Sequence, residues 1–132
     1  VKQFITGIGG VFFRSADPAA TYKWYRETLG LPADDYGHLF KPLASDGQPL
    51  FTQWSVFPAD TDYFGDQGQP FMINYRVQDM EGLIAHLESR GIPLLGGPDH
   101  YDYGTFIWIE DHAGNRIELW EPKGGFEEAE AE

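Results

Sequence analysis

The chain has 132 residues and no cysteine, which excludes a disulfide framework, a zinc–cysteine centre, an iron–sulfur cluster and a cysteine nucleophile. Its 21 acidic residues against 9 Lys and Arg give a formal net charge of −12, the wrong sign for sequence-independent binding to nucleic acid or for an anionic membrane. With 42% hydrophobic and 16% aromatic residues, the composition is that of a globular domain rather than a disordered chain.

The N-terminal stretch lacks the apolar run of a signal peptide, and no segment approaches the roughly 20 apolar residues of a membrane span. A soluble, cytoplasmic protein is expected. The first strand-like run is Gly10–Ser15. Asp17 then opens a helix: its carboxylate can accept from free N–H groups of the first turn, and Pro18 suits the first helical position. Ala20, Trp24 and Leu29 fall near one face of this helix, with Tyr25 at its edge, and Gly30 supplies a left-handed stop. Strands are expected over Gly37–Leu43 and Leu50–Phe57. The stretch Ala59–Pro70 reads as a polar linker. Phe71–Val77 is the next strand. Asp79 caps a second helix, in which Met80, Leu83, Ile84 and Leu87 follow the i, i+3, i+4, i+7 rule, and Gly91 ends it. Short strands follow at Leu94–Leu95, Gly104–Ile109 and Arg116–Trp120, the last two joined by the turn Asp111–Asn115. The tail 123–132 carries Glu127, Glu128, Glu130 and Glu132 and is expected to be solvated.

Strand–helix–strands therefore occurs twice, over 1–60 and 70–122. Side chains alternate across a strand, so Val11, Phe13, Ile73, Tyr75, Val77, Ile117 and Leu119 share an apolar, helix-packed parity. Gly10, Phe12, Arg14, Met72, Asn74, Arg76, Arg116, Glu118 and Trp120 share the other. That second face mixes polar, aromatic and charged groups, as a ligand site requires.

Three segments together carry a family likeness. They are Gly10–Asp17 leading to Trp24-Tyr25 and Leu29-Gly30-Leu31; Tyr75–Met80 leading to Leu87 and Gly91-Ile92; and Asp111–Trp120. In order and spacing they resemble the vicinal oxygen chelate superfamily of glyoxalases, bleomycin-resistance proteins and extradiol dioxygenases. The resemblance covers nearly the whole chain. It implies an α+β fold of two βαβββ modules whose curled sheets surround a cup, usually in a homodimer. It also implies metal ligands on the first and last strands of each module, the first-strand ligand being a His seven residues before the helix-capping Asp. Those positions are Gly10 and Met72 in this sequence: glycine has no ligating side chain, and a thioether is too soft for hard divalent ions. The last-strand ligand of the second module is present as Glu118. Its counterpart in the first module lies at Gln53, Trp54 or Ser55, the register being open. No metal and no cofactor are expected.

The candidate ligand-binding residues are Phe12, Arg14, Trp54, Met72, Asn74, Arg76, Tyr103, Trp108, Arg116 and Trp120. Arg14 and Arg76 stand three residues before each helix cap, either as an anion grip or as partners of nearby carboxylates such as Glu118. Phe12, Trp54, Trp108 and Trp120 can stack on a flat ligand or pack as core. Glu118 is either a catalytic base in a dry site or a hydrogen-bond anchor. Two functions stand side by side. One is a metal-free binding protein of the bleomycin-resistance type, taking an aromatic or anionic small molecule. The other is a glyoxalase-like lyase or isomerase using Glu118 or an atypical metal site, such as one built from His100 and Asp102. Elemental analysis of protein purified without chelator is expected to find no stoichiometric divalent metal; metal bound at Glu118 would overturn the expectation.

Overall fold

The Asp17-Pro18 signal starts a helix as expected: the Asp17 carboxylate accepts from the Ala20 N–H at 3.1 Å, and Gly30 closes the helix in the left-handed region at φ 71°. The computed structural model describes residues 1–65 and 68–123. The acidic tail from 124 onward and linker residues 66–67 lie outside the described residues. In chain order the elements are β1 (Ile5–Ser15), α1 (Pro18–Leu29), β2 (His38–Phe40), β3 (Thr52–Pro58), β4 (Phe71–Val77), α2 (Met80–Ser89), β5 (Gly96–Tyr101), β6 (Gly104–Glu110) and β7 (Arg116–Pro122). The chain is a mixed α+β protein.

Two compact units are formed. The first is Gly9–Ile73, in which β3 lies between β2 and β1, parallel to β1 and antiparallel to β2. α1 covers one face of this sheet, but not by the residues its apolar count suggests. Ala20, Trp24 and Leu29 are exposed, Trp24 by 52%. Tyr22 is the buried residue, packed with Ala33 and Val56, and Phe13, Leu31 and Trp54 close round this cluster. Hydrogen bonding chooses that face. The Tyr22 hydroxyl accepts from the Val56 N–H at 2.8 Å and donates to the Val56 carbonyl at 3.1 Å.

The second unit holds Val1–Ile8 and the chain from Asn74 onward. The expected division by halves is thus crossed by the first residues of β1, which begins at Ile5 rather than at the expected Gly10. The Phe4 carbonyl accepts from the Gln78 N–H at 2.9 Å, and the Thr6 hydroxyl donates to the Arg76 carbonyl at 3.3 Å. In the sheet of this unit β7 lies between β4 and β6, parallel to the first and antiparallel to the second, and β5 pairs outside β6. Met80, Leu83 and Leu87 of α2 pack on Val77, Ile117 and Leu119, of the expected apolar parity, and on Ile107 and Ile109 of β6. β5 differs from expectation. It starts at Gly96, not at Leu94: Gly-Gly-Pro-Asp-His-Tyr has neither apolar alternation nor β-branched residues, and its pairing with β6, whose register shifts between Gly96 and Asp99, makes it a strand.

Among the described residues no helix is long and apolar enough to cross a membrane.

Replacing Tyr22 with Phe leaves a buried N–H and carbonyl without their hydroxyl, so it should cost about 1–3 kcal/mol in denaturant unfolding. Burial raises the Tyr22 hydroxyl pKa above its ordinary value of 10.0, against the opposing pull of the Val56 backbone bond. The folded chain then holds that proton more tightly than the unfolded chain. This contribution is complete below about pH 10 and is lost as pH climbs through the folded value. The Phe variant should flatten that alkaline limb of the stability curve.

Candidate functional site

Strand register brings the second unit's polar face to a point. Asn74 on β4 stands opposite Glu118 on β7, and Glu118 stands opposite Trp108 on β6. All three side chains thus lie in one row across adjacent strands, and Trp108, whose parity the sequence leaves open, falls on the Glu118 face. Glu118 and Asn74 are each 2% exposed. The Asn74 amide donates to Glu118 Oε1 at 2.5 Å, and the Trp108 indole N–H donates to Oε2 at 2.8 Å. Each carboxylate oxygen therefore holds a neutral donor. This geometry also orients the Asn74 amide, because the reverse orientation would set a carbonyl oxygen against the carboxylate. Asn74 Oδ1 is left buried with no hydrogen-bond partner among the described residues.

An aromatic array continues from this row along the same face. Phe106 lies parallel to Trp120, with ring centroids 5.8 Å apart, and to Trp108 at 6.2 Å. Tyr101 and Tyr103 stack on each other at 5.2 Å and both meet Phe106 edge-on at 5.8 Å. Trp120 is buried, and its indole N–H donates to the Tyr103 carbonyl at 3.0 Å. Gly104 is essential to that contact, since it sits at φ 142° and a Cβ there would collide with the Trp120 indole. Tyr101 and Tyr103 are 47% and 39% exposed, so the array opens to solvent at their end. Burial, helped by the charges of Tyr101 and Glu118, raises the Tyr103 hydroxyl pKa above its ordinary value. Phe106, which joins these rings, is not among the expected residues; its i, i+2 spacing with Trp108 is the available signal.

Other expected residues are used differently. Arg76 is half-buried and donates to the Ile8 carbonyl at 2.9 Å; its guanidinium lies over Gly7, where a Cβ would strike it. Desolvation lowers its pKa. Arg116 is half-buried and stands opposite Glu110 at the far end of β7.

In the first unit, Phe12 is 7% exposed and packs on Phe57. Met72 is fully buried. Arg14 donates to the carbonyls of Gln69, Ala59 and Thr61 at 2.7, 3.0 and 2.7 Å and lies 5.0 Å from the ring of the fully buried Phe64. These bonds anchor the segment that reads as a plain linker. Tyr63-Phe64, an aromatic pair within a polar stretch, was its overlooked signal. Trp54 is a correction: it does not lie on the polar face but on the helix-packed one, with its ring centroid 4.8 Å from Tyr25 and 5.8 Å from Tyr22. The cause is register. Phe12 pairs with Ser55, as Asn74 pairs with Glu118, so Ser55 is the counterpart of Glu118 and Trp54 points the other way. The Ser55 hydroxyl donates to the Tyr36 carbonyl at 2.9 Å.

A cavity of about 480 Å³ opens on the opposite, helix-side face of the second unit, lined by Met80, Ile84, Pro98, His100, Thr105 and Glu121 among others. His100 Nδ1 lies 3.1 Å from the Thr105 hydroxyl, and the Glu121 carboxylate accepts from the Met80 N–H at 2.6 Å.

The donor set does not suit a divalent ion. Glycine, a buried thioether and a serine stand at three of the family's four ligand positions, and both oxygens of Glu118 at the fourth face N–H donors. Among the described residues no three His, Cys, Asp or Glu side chains are grouped to hold a metal.

The two units and this arrangement of strands define a glyoxalase-type fold. The chain belongs to the glyoxalase/bleomycin resistance protein/dioxygenase superfamily, whose family model matches residues 7–119. Among solved structures it is similar to methylmalonyl-CoA epimerase from Mycobacterium tuberculosis, with a TM-score of 0.66 and 20% identity, over 97% of this chain and 95% of that one. It is also similar to methylmalonyl-CoA epimerase from Streptomyces coelicolor in complex with 2-nitronate-propionyl-CoA, with a TM-score of 0.64 and 19% identity, over 89% of this chain and 95% of that one. A chain described as NAD-dependent benzaldehyde dehydrogenase from Legionella pneumophila matches with a TM-score of 0.54 and 13% identity, over 86% and 98%. At these identities the likeness concerns the fold. No curated protein matches the sequence.

Replacing Trp108 with Phe removes a donor from a buried carboxylate and should cost about 1.5–3 kcal/mol, the worth of a hydrogen bond to a charged group. Combining it with Glu118→Leu should cost less than the two single changes summed, as denaturant unfolding of all four proteins would show.

Proposed function

We propose that this chain binds an aromatic small molecule on the Glu118 face of β5, β6 and β7, without a metal ion. The observation that carries the reading is a buried carboxylate, held by Asn74 and Trp108, at one end of an aromatic array whose other end is open at Tyr101 and Tyr103. A flat ligand would extend the array by stacking on the exposed tyrosines. The carboxylate row would then select among ligands by the polar group they bring.

The anion-binding alternative has less support, because Nε and Nη1 of Arg14 are spent on its own loop. The protein acts in this reading as a homodimer in the cytoplasm. β2 is the terminal strand of the first unit's sheet, and the exposed Tyr36, Phe40, Leu43 and Leu50 around it offer apolar surface for such an interface. A second reading, proton transfer by Glu118 in a lyase or isomerase, draws on the fixed orientation of that buried carboxylate.

A panel of small aromatic acids, alcohols and amines, screened with EDTA present by thermal shift and tryptophan fluorescence, tests both readings. Saturable stabilisation that the Tyr101→Ala/Tyr103→Ala double variant weakens by roughly tenfold is expected, about 1.4 kcal/mol of stacking. Stabilisation only after a divalent metal is added would overturn metal-free binding. Exchange of a bound ligand's C–H for solvent deuterium, lost in Glu118→Gln, would establish the proton-transfer reading instead.

A further inference from the structure

Resting on the binding reading above, we infer that the polar group received by this site is a hydrogen-bond donor, an ammonium or a hydroxyl on a short stem, taken by Asn74 Oδ1 beside Glu118. The inference starts from an imbalance. A buried polar group in a folded protein almost always has a partner, and Asn74 Oδ1 has none among the described residues although the residue is only 2% exposed. Its orientation is settled by its other end, since the amide N–H donates to Glu118 Oε1 at 2.5 Å. What stands bare is therefore a carbonyl oxygen, which accepts and never donates.

The neighbouring group is of the same kind. An ionised carboxylate is acceptor-only, and Glu118 faces this row with Oε1 and Oε2 each holding a neutral N–H. A ligand carboxylate, or a ketone presenting only lone pairs, would meet oxygen with oxygen. An –NH₃⁺ or –OH group supplies the missing complement. Because the pair is covered, the donor must sit at the end of a slender stem such as a methylene. The aromatic body it belongs to would lie against Trp108 and Phe106 at the carboxylate end of the array, since Tyr101 on β5 is three strands from β4 and beyond so short a stem.

Four probes of one shape separate the possibilities: benzylamine, benzyl alcohol, acetophenone and benzoate, each titrated against the full chain by tryptophan fluorescence in EDTA. The donor-bearing pair should bind at least tenfold more tightly than acetophenone and benzoate. Asn74→Leu should reduce the preference to less than threefold. Should that variant fold poorly, the ¹³Cγ resonance of Asn74 in the unaltered chain gives an independent reading: it should move on saturation with benzylamine or benzyl alcohol and stay in place with acetophenone. Binding of benzoate or acetophenone as tight as that of the donors would overturn the inference and leave the binding reading standing. Binding by none of the four would remove both. A ligand-bound structure in which a water alone occupies Asn74 Oδ1 would also overturn it.

Discussion

A carboxylate buried in the sheet of the second unit constrains everything around it. Removing a charge from water costs several kcal/mol unless partners replace the lost hydration. Glu118 finds two such partners on the strands to either side, Asn74 on β4 and Trp108 on β6. These are its direct cross-strand neighbours, so the hydrogen bonds fix strand register as well as charge. A slip of one residue along β7 would turn Glu118 toward the helix-packed core and set Leu119 against the polar row. Register in turn places Trp120 beside Phe106 and brings its indole to the Tyr103 carbonyl, the close approach that Gly104 permits. The aromatic array is thus a consequence of where the acid sits.

The two units share a plan but differ in charge at the corresponding point. In each, the strand before the helix runs parallel to the unit's last-formed counterpart, β3 or β7. Counting from the helix caps, Phe12 and Ser55 occupy in one unit the places of Asn74 and Glu118 in the other. Phe12 needs no polar partner, and Ser55 satisfies its hydroxyl locally on the Tyr36 carbonyl. The first unit's polar face is consequently closed by its own residues, with Phe64 buried and Arg14 bonded to loop carbonyls. Among the described residues the unanswered buried acceptor, Asn74 Oδ1, lies in the second unit.

Much of this was legible in the sequence, and the failures have identifiable causes. Capping residues placed both helices, because Asp17, Asp79, Gly30 and Gly91 act through local backbone chemistry that needs no tertiary context. Strand alternation placed Asn74, Glu118 and Trp120 on one face, since parity propagates along a strand once one residue is anchored. It failed at Trp54, where no anchor existed, and one residue of register decides which face a side chain takes. It failed for α1 because Tyr22 ranks low as an apolar residue yet is drawn inward by two backbone hydrogen bonds. β5 was hidden because pairing with β6, rather than its own composition, makes it a strand. The unpaired Asn74 oxygen could not be read from sequence at all; it is a property of which end of an amide faces a carboxylate.

The net charge takes on a different meaning beside this geometry. Three arginines at regular places suggested an anion-tolerant pocket inside an acidic protein. Arg14, however, is committed to loop carbonyls, Arg76 reaches back to the Ile8 carbonyl, and Arg116 stands opposite Glu110. In the row they were expected to serve, Asn74 and Trp108 bring neutral N–H donors to the two Glu118 oxygens. A formal charge of −12 adds a long-range field that repels anions and attracts cations before contact. Surface field and buried acceptors therefore favour ligands of the same polarity. The first acts on approach and fades with salt, whereas the second acts at contact and is screened much less. A preference that survives high ionic strength would belong to the Asn74–Glu118 row rather than to the acidic surface.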